Sequence, residues 1–278
     1  MIKLQNKYQL RALAHENLKP SNKEFVSRSA FSKHKAGDEF QNPFLAHYDK
    51  FWDVKERSFP FMQTICNVLK GPKDYEKQKA IDATQYLLLG KPSSGKTTEL
   101  RRIAHEILGQ INDDQIIHLC SLQNTSAVQR EIESKEDLWN WMMRSHESKV
   151  WAEERYSLEQ FSQLHLENNL KPILLVDTVD LLIYGKIGTE SSMKITEFWK
   201  ELVSDIELLG WTVLWSCRKY EWNLMKEHNS ADKINLIEVS LPILNEKEIT
   251  QRLESIPTAD YLQRHMVTLS WAFPIVIG

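Results

Sequence analysis

Apolar positions along this chain fall into short unbroken runs that alternate with stretches of helical spacing. Residues 84–89, 115–122, 172–177, 211–217 and 234–241 are such runs and read as strands. Between them the period changes. Ile65, Cys66 and Leu69 share one helix face, and Gly71-Pro72 ends that element. Leu100, Ile103, Ala104, Ile107 and Leu108 recur at helical spacing over residues 97–108, and Gly109 stops them. Ser134 and Ser157 each open a helical stretch, the second with Gln160 placed for a capping box. Residues 191–209 form a long helix closed by Gly210. Asn245, with Glu248 three residues on, caps another, and Pro257 separates it from a last one. Strands apolar throughout, alternating with helices, predict an α/β fold with a parallel sheet covered on both faces. Residues 1–50 are polar with weak periodicity and read as an N-terminal extension. The core spans 51–244, and 245–278 begins a further helical segment.

Composition narrows the class. Of 278 residues, 42% are hydrophobic and 26% charged, which excludes wholesale disorder. Thirty-five basic against 38 acidic residues leave a net charge of −3, without the basic footprint of a dedicated nucleic-acid binder. Charge interrupts the N-terminus before an apolar signal segment forms. No uncharged run approaches the roughly 18–20 residues of a membrane span. Cys66, Cys120 and Cys217 are odd in number and lack a CxxC pair, so a reducing compartment is expected, the cytoplasm. The many tryptophans read as core or interface anchors.

The chemistry concentrates after the first strand. Gly90-Lys91-Pro92-Ser93-Ser94-Gly95-Lys96-Thr97 is a full GxxxxGK[ST] match with a strand before it and a helix after it. Glycines let backbone amides wrap phosphates, and the helix N-terminus adds the positive end of its dipole. Lys96 supplies a point charge to the β- and γ-phosphates, the Thr97 hydroxyl ligates Mg²⁺, and Thr98 extends the contact. Ile173-Leu174-Leu175-Val176-Asp177 is an aliphatic strand ending in a carboxylate, where a Mg²⁺-holding Walker B aspartate belongs. Asp180 either polarises water or serves as a turn residue. Arg218 ends the strand Val213-Leu214-Trp215-Ser216-Cys217 and is either a γ-phosphate sensor or a surface charge.

Taken in order, Gly90 to Thr97, Asp177 with Asp180, Ser216 to Arg218, and Leu241-Pro242-Ile243-Leu244-Asn245-Glu246-Lys247-Glu248 resemble the core of STAND NTPases, AAA+ relatives that include the NACHT and NB-ARC proteins. The resemblance covers about residues 84–278. It implies an additional-strand P-loop NTPase with sheet order 5-1-4-3-2 and a helical lid beginning at 245–278. It also implies that Pro274, in Ala272-Phe273-Pro274, touches the nucleotide base, although Ala272 replaces the family's Gly. The function implied is an ATP-binding, slowly hydrolysing switch, with Mg²⁺ as cofactor. Lys96, Asp177, Asp180 and Arg218 would be catalytic, and the switch would couple ATP/ADP state to homo-oligomerisation or a partner protein in signalling or antiviral defence. Two other functions share these motifs: a DNA-associated AAA+ ATPase similar to origin-recognition or transposition-regulator proteins, and a small-molecule P-loop kinase. The acidic balance and Thr178, where AAA+ enzymes carry Glu, count against the first. The polar-Arg strand and the lack of an Arg-rich lid count against the second.

Overall fold

A computed structural model describes residues 6–16, 18, 29–32, 57–70, 85–92, 94–121, 132–182, 188–229, 231 and 234–241. Within it lie helix α1 (Lys7–His15), strands β1 (Ser29–Ser32) and β2 (Arg57–Pro60), helix α2 (Phe61–Lys70), strand β3 (Gln85–Gly90), helix α3 (Lys96–Leu108) and strand β4 (Gln115–Ser121). Helices α4 (Lys135–Arg144), α5 (Lys149–Glu154) and α6 (Leu158–Glu167) follow, then strand β5 (Lys171–Asp177) and a 3₁₀ turn (Val179–Leu182). Helix α7 (Glu190–Leu208), strand β6 (Thr212–Arg218), helix α8 (Lys219–Asn229) and strand β7 (Ile237–Ser240) complete the described elements. The lid helix expected from Asn245, and Pro274, lie outside the described residues.

Strands β4, β5, β6, β3 and β7 stand side by side in that order, and each neighbouring pair is parallel. Numbered by chain position and read from the other edge, this is the order 5-1-4-3-2 of an additional-strand P-loop NTPase. Strand β6 lies between the P-loop strand and the strand ending in Asp177. β1 and β2 form a separate antiparallel pair, with Ser29 opposite Pro60.

The apolar strands are buried on both faces, and their residues sort by parity. Leu87, Leu89, Leu174, Val176, Val213 and Trp215 face one core, with Leu10, Trp139, Trp151, Phe161, Trp199 and Trp222 from the helices. Leu88, Ile117, Leu119, Ile173, Leu175 and Leu214 face the other, with Ile65, Leu69, Leu100, Ile103 and Ile107 from α2 and α3. Two faces need two helical layers, and the chain supplies both.

The exposed edge of β4 is covered in an irregular way. The Ile117 amide donates to Nε2 of His15 on α1 at 3.1 Å. The Glu147 amide donates to the Leu119 carbonyl at 2.8 Å, and the Ser121 amide to the Ser145 carbonyl at 2.9 Å. Among the described residues, these bonds occupy part of the β4 edge and leave less of it open to another strand. Helix α1 was not expected in the polar N-terminal segment, yet its Leu10 and Ala14 are buried in the larger core. Among the described residues, no helix is long and apolar enough to cross a membrane, and the three cysteines are buried and free.

Candidate nucleotide site

The loop between β3 and α3 is built around two glycines. Gly90 closes β3, and a Cβ there would lie 2.6 Å from Ser94 Oγ and 3.2 Å from Lys96 Cγ. The loop therefore curls tightly over this position, and a side chain there would have to displace the Ser94 hydroxyl and the Lys96 stem. Gly95 caps α3 at φ 85°, left-handed backbone that favours glycine. The first helical bond runs from the Glu99 amide to the Gly95 carbonyl at 2.9 Å. The amides of Lys96, Thr97 and Thr98 thus belong to the helix's open first turn, where intrahelical acceptors are missing. Lys91 and Pro92 are exposed at the loop's crest, Ser94 and Gly95 half-buried; Ser93 lies outside the described residues.

Lys96 is buried, and its ammonium donates to the carbonyls of Gly90 at 3.1 Å and Lys91 at 3.0 Å. Burial lowers its pKa, opposed chiefly by the nearby Asp180 carboxylate.

At the C-terminal end of the sheet, Asp177 is held by two hydroxyls. Thr97 Oγ1 donates to its Oδ2, and Ser216 Oγ to its Oδ1, each at 2.6 Å. Ser216 in turn accepts the Thr178 amide at 2.8 Å. This bond helps hold Thr178 at φ 63°, where a β-branched residue is strained by about 1–3 kcal/mol. Three elements (α3, β5 and β6) thereby meet on one carboxylate.

Arg218 stands opposite Gly90 in the β3–β6 register. Its backbone amide donates to Asp180 Oδ1 at 3.0 Å, and its Nε lies 3.1 Å from Asp180 Oδ2. Nη1 reaches Glu221 Oε1 on α8, also at 3.1 Å. Asp180 is fully buried in the 3₁₀ turn, and burial raises its pKa, with Arg218 pulling the other way. Lys96, Thr97, Asp177, Asp180 and Arg218 therefore converge on one end of the sheet. Glu221 joins them without having been predicted. No helical period marks it, because Arg218 ends β6 and α8 follows with no intervening loop.

A second polar cluster was also missed. His118 Nδ1 lies 3.0 Å from His146 Nε2, and His118 Nε2 lies 3.0 Å from His165 Nε2. His165 Nδ1 must donate to the Phe161 carbonyl, 2.6 Å away, while His146 Nδ1 accepts the Ser148 amide at 2.9 Å. Those two ends fix all the tautomers: His146 donates to His118, which donates to His165. Each ring is neutral with both nitrogens used. His118 turns a different nitrogen to each neighbour, so the three rings do not converge on one ion. Among the described residues no three or more His, Cys, Asp or Glu side chains gather as metal ligands would.

No protein-family model matches the chain, and no curated protein sequence matches it. Among solved structures it is similar to that of C. elegans PCH-2, with 15% identity, a TM-score of 0.36, and coverage of 73% of this chain and 47% of that one. The fold class rests on the strand order and the loop described above.

Proposed function

We propose that this protein is an ATP-binding, slowly hydrolysing molecular switch of the STAND type, coupling nucleotide state to self-association or to a partner protein in signalling or antiviral defence. The observation that carries this reading is the Asp177 carboxylate, fixed between Thr97 of the phosphate-loop helix and Ser216 of the neighbouring strand.

The residues fit a nucleoside triphosphate with Mg²⁺. Gly90 leaves a cradle that a Cβ would fill, and the start of α3 offers backbone amides to phosphate oxygens. Lys96 exchanges its loop carbonyls for phosphate oxygens, gaining a charged acceptor in place of neutral ones. The Thr97 hydroxyl and Asp177 carboxylate are hard oxygen donors of the kind Mg²⁺ takes. When bound, the ion neutralises charge on the β- and γ-phosphates. Asp180 has both oxygens turned to Arg218, so we assign it to positioning that residue. Thr178 follows Asp177 and has no carboxylate to orient water, which suits slow turnover and a switch more than a motor.

Two measurements test the reading together: ATP affinity with and without Mg²⁺, and mass in solution with ATP or ADP. Asp177→Ala is expected to abolish the tightening by Mg²⁺ while leaving the protein folded. Mg²⁺-dependent tightening that persists in the variant, or a mass that ignores the nucleotide, contradicts it.

A further inference from the structure

Among the described residues, the Arg218 guanidinium faces the Asp180 and Glu221 carboxylates, with Lys96 nearby, and those carboxylates are not equivalent. Asp180 is fully buried and engages Arg218 twice, at the backbone amide and at Nε. Glu221 engages only Nη1, through one oxygen. Its other oxygen, Oε2, is buried with no hydrogen-bond partner among the described residues. Asp180 Oδ2 likewise lacks a hydrogen bond, but Asp180 Oδ1 holds the Arg218 backbone while Glu221 holds only the guanidinium, so Glu221 is the contact that releases without moving β6. The guanidinium starts from the strand position opposite Gly90, beside the phosphate loop.

We propose that Glu221 competes with the third phosphate of a bound nucleotide for Arg218, and so sets the preference of the site between triphosphate and diphosphate. This rests on the nucleotide-binding reading above. When Arg218 turns from Glu221 to a phosphate oxygen, Glu221 is left buried without its countercharge, and that cost holds triphosphate affinity down. A diphosphate makes no such demand and leaves the pair closed. A site of this kind answers to the nucleotide's charge and not merely to its presence.

The test uses the full chain and measures dissociation constants for ATP and ADP in the wild type, Glu221→Gln, Glu221→Ala, Arg218→Ala and the double variant Arg218→Ala/Glu221→Gln. Removing the Glu221 charge is expected to tighten ATP binding about fivefold or more, within the usual range of coupling, with ADP affinity nearly unchanged. On the Arg218→Ala background the same change should do nothing. A role confined to stability would not show that dependence on Arg218. An unchanged ATP-to-ADP ratio in both Glu221 variants overturns the proposal, as does an equal gain on the Arg218→Ala background. A wild type that binds no ATP overturns the nucleotide reading itself. ATP binding lost on Lys96→Ala, with the ratio untouched by Glu221, overturns the competition alone.

Discussion

Replacing Ser216 with Ala removes a donor from Asp177 and an acceptor from the Thr178 amide in one step. Both groups are buried, and an unsatisfied buried group costs about 1–3 kcal/mol. The Thr178 backbone also loses a bond that holds its left-handed conformation. Ser216→Ala is therefore expected to lower the melting temperature by several degrees, roughly 2–4 °C per kcal/mol for a chain of this size. Thermal denaturation checks this, and an unchanged midpoint contradicts the bridging role. At this scale the sequence was most informative where the chemistry is contiguous. Gly90 to Thr97 declare themselves because loop, charge and hydroxyl lie in eight consecutive positions. Asp177 was legible because it ends an aliphatic strand. Glu221 was not, since its meaning depends on the fold bringing Asp180 to Arg218.

Helices and strands were legible where periodicity or a cap marked them. Ser157 and Gln160 form the expected capping box on α6, and Thr189 caps α7, which begins at Glu190, one residue before its predicted start. Helix α8 went unmarked because it begins at Lys219 directly after β6. The stretch opened by Ser134 proves to be two helices, broken at Ser145–Ser148 where the chain covers the edge of β4. That break carries His146 to His118, and α6 carries His165 to the same ring. No sequence period links residues so far apart.

The histidine chain has a pH consequence at the same scale. Burial lowers His118 well below its usual 6.5, His146 to about 3, and His165 and His15 to about 4. Among the described residues, the charged and titratable neighbours are Arg11 and His15 on α1, Glu16 at its C-cap, Glu147 beside the break, and Cys120 on β4. Each histidine takes a proton near pH 6.5 once unfolded but resists it when folded. Their contribution to stability is therefore complete above that pH. It is lost as pH falls toward the folded values, by about 1.4 kcal/mol per pH unit for each histidine. His118→Phe leaves the His146 donor and the His165 acceptor unpaired. It should lower stability at pH 7 and flatten the acid slope between pH 6.5 and 4. Denaturant titrations across that range measure both effects, and an unchanged slope contradicts the neutral chain.

For the molecule as a whole, parity within the strands decides the architecture. Each central strand supplies one set of residues to each core, so helices must cover both faces and the loops at the C-terminal ends must converge. β6 between β3 and β5 is what brings Arg218 and Ser216 to the phosphate loop and Asp177. That placement followed from the family resemblance, because apolar strands carry no mark of their neighbours. We propose that this convergence binds a nucleotide through Lys96. Its most direct test is calorimetric titration of ATP into the wild type and Lys96→Ala, with melting curves alongside. Mg²⁺-dependent ATP binding is expected for the wild type, weakened tenfold or more (about 1.4 kcal/mol) in a variant that stays folded. Equal ATP affinity in the two proteins would contradict it.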